Sequence, residues 1–447
     1  MDLNVTRYEQ IMAGHSASTG DLAAAFADAS NAARVANMTK DPSKIAIRDV
    51  AAGVAAPALV GFIIWMFREA HDRKLRRLRF LSRDGQILYE LARRLGPKLG
   101  IEMDLEYVHS SRLTWSLAAS NPKSLPSAEW LFNSFMKSNA DDLCARLGLS
   151  MEEYRPALVE AGVSLESDVR ADSTEQLAAF RQFLSRDDVI RSTEKRIFQT
   201  RSILTDYAAQ HELADEDTGL VDAGWTGRMV GSLIKICEEA GMARPHLLLW
   251  GHEPRATGWT DPDRVDAYMY NTATGAGLSW RVADAPFIVE TFCMGDHGIV
   301  AGFERSPSGT VEVVLQTDTN PAAERWGIGL YRSTVYAFCD ALDGGFDQEV
   351  RPLIHDVMDA FWVHPTRSEA QAWGNYPYDS DPAGTAARRL ARPFTARDAC
   401  AAFIRRHLVR GDRAWLAGSV AMSGRLGKIA HALFTASSDR VGAPATD

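Results

Sequence analysis

Residues 50–67, VAAGVAAPALVGFIIWMF, contain no charged side chain, and no other stretch restricts the fold so strongly. A bilayer span needs roughly 20 apolar residues, and this one falls slightly short, with a small-residue first half and Pro57 inside it. The reading preferred here is a helix buried against a sheet. The basic run KLRRLR (74–79) that follows reads as a solvated helix end. Peripheral attachment to anionic lipid-linked material through that run is left open.

A helix buried on all sides needs layers around it, and the rest of the chain supplies an α/β pattern. The order is a long helix (48–73), strand RLRFLS (77–82), helix 86–96 and strand EMDLEYVHS (102–110). It resumes with TGLVDAGWTGRMVGSLIKICEEAG (218–241), then HLLLWGHE (246–253) and RVDAYMYN (264–271) as further strands. SPSGTVEVVLQ (306–316) reads as one arm of a hairpin. Apolar residues between 120 and 210 recur at helical spacing, which predicts a helical insertion. The expected fold is a mostly parallel α/β sheet, Rossmann-like or phosphoribosyltransferase-like. Its donor-binding core spans 45–119 and 211–318, with an insertion at 120–210, a helical C-terminal lobe at 319–447 and a loosely helical N-terminal arm at 1–44.

Charge and cysteine usage remove several function classes. The net charge of −9 and pI near 5.7 argue against nucleic acid, whose phosphates require a basic face. Five cysteines lie far apart with no CxxC pair, which is neither a zinc pattern nor a disulfide framework. A cytoplasmic setting is expected, and MDLNVTRYEQ shows no apolar leader segment.

Two strand-to-helix turns carry the chemistry. In GLVDAGWTGRMV, Asp222 ends an apolar strand, Gly224 and Trp225 follow, and Thr226, Gly227 and Arg228 open a helix. Successive N–H groups and a hydroxyl at a helix N-terminus make a phosphate cradle. A carboxylate four residues upstream can hold the sugar hydroxyls next to that phosphate, and Arg228 adds a guanidinium fork. In FLSRDGQ, the residues Ser82, Arg83, Asp84 and Gly85 stand at a second strand tip, where Arg and Asp together suit an anion with a metal or hydroxyl. A third tip, YVHSSRLTW, presents Ser110, Ser111 and Arg112. The bland alternatives are helix caps at Asp84 and at the Thr-Gly turn, and core packing for Trp225. Glu290 in PFIVETFCMGDHG is a further base candidate, with Asp296 and His297 beside it. His109 and His252, at strand ends, read as structural.

Taken in order, FLSRDG, YVHSSR, LVDAGWTGRM, the VETF segment and RAWLAGS resemble the glycan-specific phosphoribosyltransferase domain of bacterial dual-domain ribofuranosyltransferases, over about residues 48–425. The resemblance implies transfer of a phosphoribosyl group from phosphoribosyl pyrophosphate, with Mg²⁺, to a sugar of a surface glycan or lipid-linked glycan. In this family a haloacid-dehalogenase-type phosphatase domain removes the remaining 5-phosphate. No D-x-D-x-T pair stands in this chain, so the phosphatase would be a separate protein or the product would keep its phosphate. Nucleotide-making phosphoribosyltransferases have a second acid where Val221 stands and a hydroxyl where Met229 stands, so the chain departs from them. The implied roles are Thr226, Gly227 and Arg228 on the 5-phosphate, Asp222 on the ribose hydroxyls, and Arg83 and Arg112 on pyrophosphate. Asp84 would be a metal contact or the general base, and Glu290 a second base. A non-catalytic phosphoribosyl-binding protein and a small-molecule phosphoribosyltransferase are the alternatives.

Overall fold

A computed structural model describes residues 4–15, 21–132, 139–166, 169, 174–254, 261–277, 284–344, 349–378, 388–395, 398, 414–425 and 427. Helix α1 (Arg7–Gly14) begins at a capping box in which Thr6 and Glu9 satisfy each other's backbone N–H groups. Helix α2 (Asp21–Ala36) follows. Helix α3 runs without a break from Pro42 to Asp72. Asp41 caps its start by accepting from the Ser43 N–H at 2.9 Å. A π turn at Ala51–Ala55 widens it just before Pro57, whose ring cannot donate and crowds the carbonyl four residues back. This is the one helix among the described residues long and apolar enough to cross a membrane, and its apolar stretch is almost entirely buried inside the protein.

Strand β1 (Arg77–Leu81), helix α4 (Gly85–Lys98), strand β2 (Asp104–Val108) and helix α5 (Arg112–Ala118) follow. The insertion is built from α6 (Ala140–Leu147), α7 (Met151–Glu160), α8 (Thr174–Leu184) and the long α9 (Asp187–Gln210). Then come β3 (Thr218–Trp225), α10 (Arg228–Glu239), β4 (His246–His252), β5 (Val265–Asn271) and a short β6 (Ala276–Gly277). Helix α11 (Ala285–Phe292) precedes a hairpin of β7 (Val300–Arg305) and β8 (Val311–Leu315). The chain continues as α12 (Pro321–Trp326), α13 (Ile328–Ala341), α14 (Arg351–Trp362) and α15 (Arg367–Gly374), then the two-residue strands β9 (Pro377–Tyr378) and β10 (Arg388–Arg389), and α16 (Leu416–Ser423).

The main sheet has the order β2-β1-β3-β4-β5-β6, parallel throughout except for β6. Its central strands β3 and β4 are buried on both faces almost throughout, as a sheet covered on both sides requires. Phe80, Val221, Ala223, Leu248 and Trp250 pack into the layer of α3, α4, α13 and α14. Leu220, Leu247 and Leu249 pack into the opposite layer of α5, α9 and α10. Each fully buried Leu or Phe contributes about 1.5–3 kcal/mol, so the two layers hold the sheet rigidly. The insertion has a separate core around Leu143, Leu147, Phe180 and Phe183, as its helical spacing leads one to expect.

Three expectations change. The N-terminal arm is part of the main core: Tyr8, Met12, Leu22 and Phe26 are buried in the α3 layer. The buried Arg34 guanidinium reaches Glu9 at 2.7 Å and Asp49 at 3.1 Å. The helices after 319 are likewise not a separate lobe, because α13 to α15 share that same layer, with Trp415 stacked on Trp362. The basic run is a solvated helix end only at Lys74 and Arg76. Arg76, just before β1, pairs with Asp217 at 2.7 Å, and within β1 Arg77 pairs with Glu212 at 3.0 Å and Arg79 with Asp104 at 2.7 Å. Arg79 is buried. Arg77 and Arg79 are thus neutralised within the protein, while Lys74 and Arg76 stay exposed. The loop predicted at 374–385 extends beyond residue 378 outside the described residues, and Cys400 also lies outside them. The other four cysteines are buried free thiols.

Candidate functional site

In a sheet ordered 2-1-3-4-5, the connections leave β1 in one direction and β3 in the other, so a crevice opens at their carboxyl ends. The Asp84 turn follows β1 and Asp222 lies in β3. The two chemical turns of the sequence therefore meet at this switch point.

Asp84 occupies the N-cap position of α4 but makes no side-chain cap bond. The capping reading of this residue fails, and its carboxyl is left for other work. Burial lifts that carboxyl well above its ordinary range, helped by the charges of Glu290 and then Asp222, while Arg83 and Arg112 pull it down. Burial likewise raises Asp222 to about 7, against a bond from the Ala223 N–H and the charge of Arg112. Glu290, on α11, is also raised by burial and is opposed first by Arg112. Three carboxyls and two guanidiniums thus share one electrostatic environment, although they come from four separate segments. Asp222 is buried, while Asp84 and Glu290 keep some exposure and Arg112 is exposed.

The Glu290 carboxylate is held at both oxygens. Trp225 Nε1 donates to Oε1 at 3.1 Å and Tyr378 Oη donates to Oε2 at 3.2 Å. Trp225 also stacks on Tyr270 with ring centres 6.4 Å apart. Its indole is therefore a wall that orients an acid, rather than an open platform for a sugar. Tyr378 carries no motif and is aligned only by the fold, so no sequence signal could have identified it.

Other expected ligand contacts also carry bonds and packing within the protein. Ser110 N–H donates to Ser82 Oγ at 2.8 Å and Ser110 Oγ donates to the Ser82 carbonyl at 2.7 Å, locking the β1 and β2 tips together. Ser82 is thus occupied within the protein. The Ser82–Arg83 peptide is cis. Ser111 is the N-cap of α5, accepting from the Thr114 N–H at 3.3 Å. Gly224 has φ +119°, and a Cβ there would lie 2.1 Å from the Gly251 carbonyl oxygen, so it serves close strand packing. Gly85 serves packing too, since a Cβ would come within 2.6 Å of the Phe80 backbone.

At the second turn, Gly227 is the N-cap of α10 in the left-handed region, with φ 69°, and no side chain caps this helix. Its first N–H groups, beside the partly exposed Thr226 and Arg228, keep the geometry of an anion cradle. Arg228 reaches Glu129 of the insertion at 3.6 Å.

The remaining candidates are structural. Asp296 pairs with Arg332 at 2.7 Å. His297 Nδ1 donates to the Gly298 carbonyl at 2.6 Å, so its Nε2 accepts from Tyr107 Oη at 2.7 Å. His109 packs against both rings, and burial lowers its pKa to about 4, leaving a neutral imidazole. His252 and Trp250 are buried.

Among the described residues, no group of three or more His, Cys, Asp or Glu side chains is arranged to hold a metal ion. Mg²⁺ ordinarily takes one or two carboxylates and fills its remaining positions with water and substrate phosphate. Asp84, next to two arginines that would hold such phosphates, fits that pattern. Two surface depressions, of about 580 Å³ by Pro97 and Met103 and about 370 Å³ by Lys123 and Lys235, share no residue with this centre. The convergence of charge, rather than the size of a hollow, marks the site. No protein-family model matches the chain, and no curated protein is significantly similar to it in sequence.

Proposed function

We propose that the protein is a phosphoribosyltransferase that moves a 5-phosphoribosyl group from phosphoribosyl pyrophosphate to a sugar hydroxyl of a glycan or lipid-linked glycan. The observation that carries the reading is the convergence of Asp84, Asp222 and Glu290 with Arg83 and Arg112 at the β1/β3 switch point, beside the uncapped N-terminus of α10. Carboxylates stabilise a cationic ribosyl centre, guanidiniums stabilise a leaving pyrophosphate, and a helix N-terminus suits the 5-phosphate.

In this reading the acceptor oxygen attacks C1 of the ribose as the C1–O bond to pyrophosphate breaks. Arg83 and Arg112 take up the charge of the leaving group. Asp222 orients the ribose hydroxyls, and the N–H groups of Gly227 and Arg228 with the Thr226 hydroxyl hold the 5-phosphate. Glu290, fixed by Trp225 and Tyr378, faces the developing positive charge. Asp84 receives the acceptor proton, since a carboxyl raised by burial is the stronger proton acceptor. Asp84 is alternatively the residue that would hold Mg²⁺, which would supply charge neutralisation at the leaving group; Glu290, the second base, would then take the acceptor proton. Removal of the 5-phosphate falls to a separate phosphatase.

Calorimetric titration with phosphoribosyl pyrophosphate and Mg²⁺ tests the reading. Micromolar binding, weakened about tenfold or more in Asp222→Asn and Arg83→Ala, is expected. No binding by the folded protein would overturn it. Binding with no pyrophosphate released in the presence of glycan acceptors would favour the non-catalytic alternative.

A further inference from the structure

Between α11 and the β7–β8 hairpin, residues 293–297 (CMGDH) form a short bracket that none of the assigned roles uses. Its ties are dense. Arg332, buried on α13, donates to Asp296 Oδ2 at 2.7 Å, to Gln86 Oε1 at 2.6 Å and to the Met294 carbonyl at 2.9 Å. Gln86 returns a bond to Asp296 Oδ1 at 2.6 Å and accepts from the Asp296 N–H at 3.0 Å. At its far end the bracket carries His297 to Tyr107 on β2.

Gln86 lies three residues after Arg83 and directly after Gly85, in the first turn of α4. From the other side, Gly295 of the bracket lies against Arg83: a Cβ on Gly295 would stand 3.2 Å from the Arg83 Cβ. The turn Arg83–Asp84–Gly85–Gln86 is thus held between the Phe80 backbone, against Gly85, and the bracket, against Arg83 and Gln86. A buried guanidinium costs stability unless every neighbour is well placed, so Arg332 imposes one arrangement on these groups.

We propose that Arg332 and Gly295 are positioning residues that fix the Arg83 guanidinium for the pyrophosphate end of the donor. The proposal rests on the function proposed above. Displacement of a binding group by about 1 Å, even by a change outside the site, can cost up to about 100-fold.

The test is the affinity of the full chain for phosphoribosyl pyrophosphate with Mg²⁺, with folding checked by thermal melting. Arg332→Ala is expected to weaken binding by roughly 10- to 100-fold. Arg332→Lys, which keeps the charge for Asp296 but not the fork to Gln86 and Met294, should fall between. Gly295→Ala leaves Arg332 intact and presses only on Arg83, and it should also weaken binding. Arg94→Ala is the control, because Arg94 ties the same two helices together through Asp340 at 2.7 Å without touching the bracket; it should bind as the wild type does. Unchanged affinity in both Arg332→Ala and Gly295→Ala overturns the positioning role while leaving the function standing. Equal loss in Arg94→Ala reduces Arg332 to a structural tie and also overturns the proposal. Should Arg332→Ala not fold, Gly295→Ala decides alone. A wild type that does not bind the donor removes both proposals together.

Discussion

Trp225 Nε1 donates to Glu290 Oε1 at 3.1 Å, joining the end of β3 to helix α11 across 65 positions of sequence. The bond fixes one oxygen of an acid whose other oxygen is held by Tyr378. Both bonds favour the ionised form and work against the burial that raises this carboxyl.

Trp225→Phe and Tyr378→Phe each remove one of these donors, so each should raise the Glu290 pKa further. The acidic limb of the rate profile then moves to higher pH. Activity at pH 6.5 should fall about tenfold and recover in part at pH 9, since a hydrogen bond to a charged group contributes about 1.5–3 kcal/mol. A profile lowered equally at every pH would sink the assigned role of Glu290.

Asp222 gives a second prediction, about stability. An unfolded Asp titrates at about 3.9, and burial raises the folded value to about 7. Between those values the native state binds more protons than the unfolded chain, so stability falls as pH rises through that window. Asp222→Asn removes this contribution. It should flatten the dependence and gain roughly 3–5 kcal/mol at pH 7.5 relative to pH 4, while turnover drops. Urea denaturation at the two pH values measures it, and an Asn variant with the wild-type slope would count against the assignment.

The N-terminal helices provide a third. Arg34→Met leaves Glu9 buried without the guanidinium that it meets at 2.7 Å, which costs about 3–5 kcal/mol. Replacing both by Met should recover much of that loss. A single variant that loses under about 1 kcal/mol in urea denaturation would mean that α1 and α2 add little to the core.

Legibility differed sharply between local and distant features. The strand before Asp84, the turn and the helix after it follow from a few consecutive residues, and the structure places all three within a few positions of the expected bounds. The parallel sheet likewise follows from doubly apolar strands separated by helices. The internal bonds of Ser82 and Ser111 are not legible in sequence, because a serine at a strand tip looks the same whether it meets a ligand, another tip or a helix N–H. Arg77 and Arg79 look solvated until the fold brings Glu212 and Asp104 beside them.

The sequence by itself determined the alternation of apolar strands and helices, the buried helix around residues 50–67 and the two charged turns, because periodicity and turn chemistry act over a few neighbouring residues. Only the tertiary structure decided that α1, α2 and the late helices belong to one layer, that Asp84, Asp222 and Glu290 feel each other's charge, and that Arg332 ties the bracket to Gln86. Those relationships join segments up to several hundred residues apart. They depend on how layers close and which charges lose water together, and neither is encoded in any local stretch of the chain.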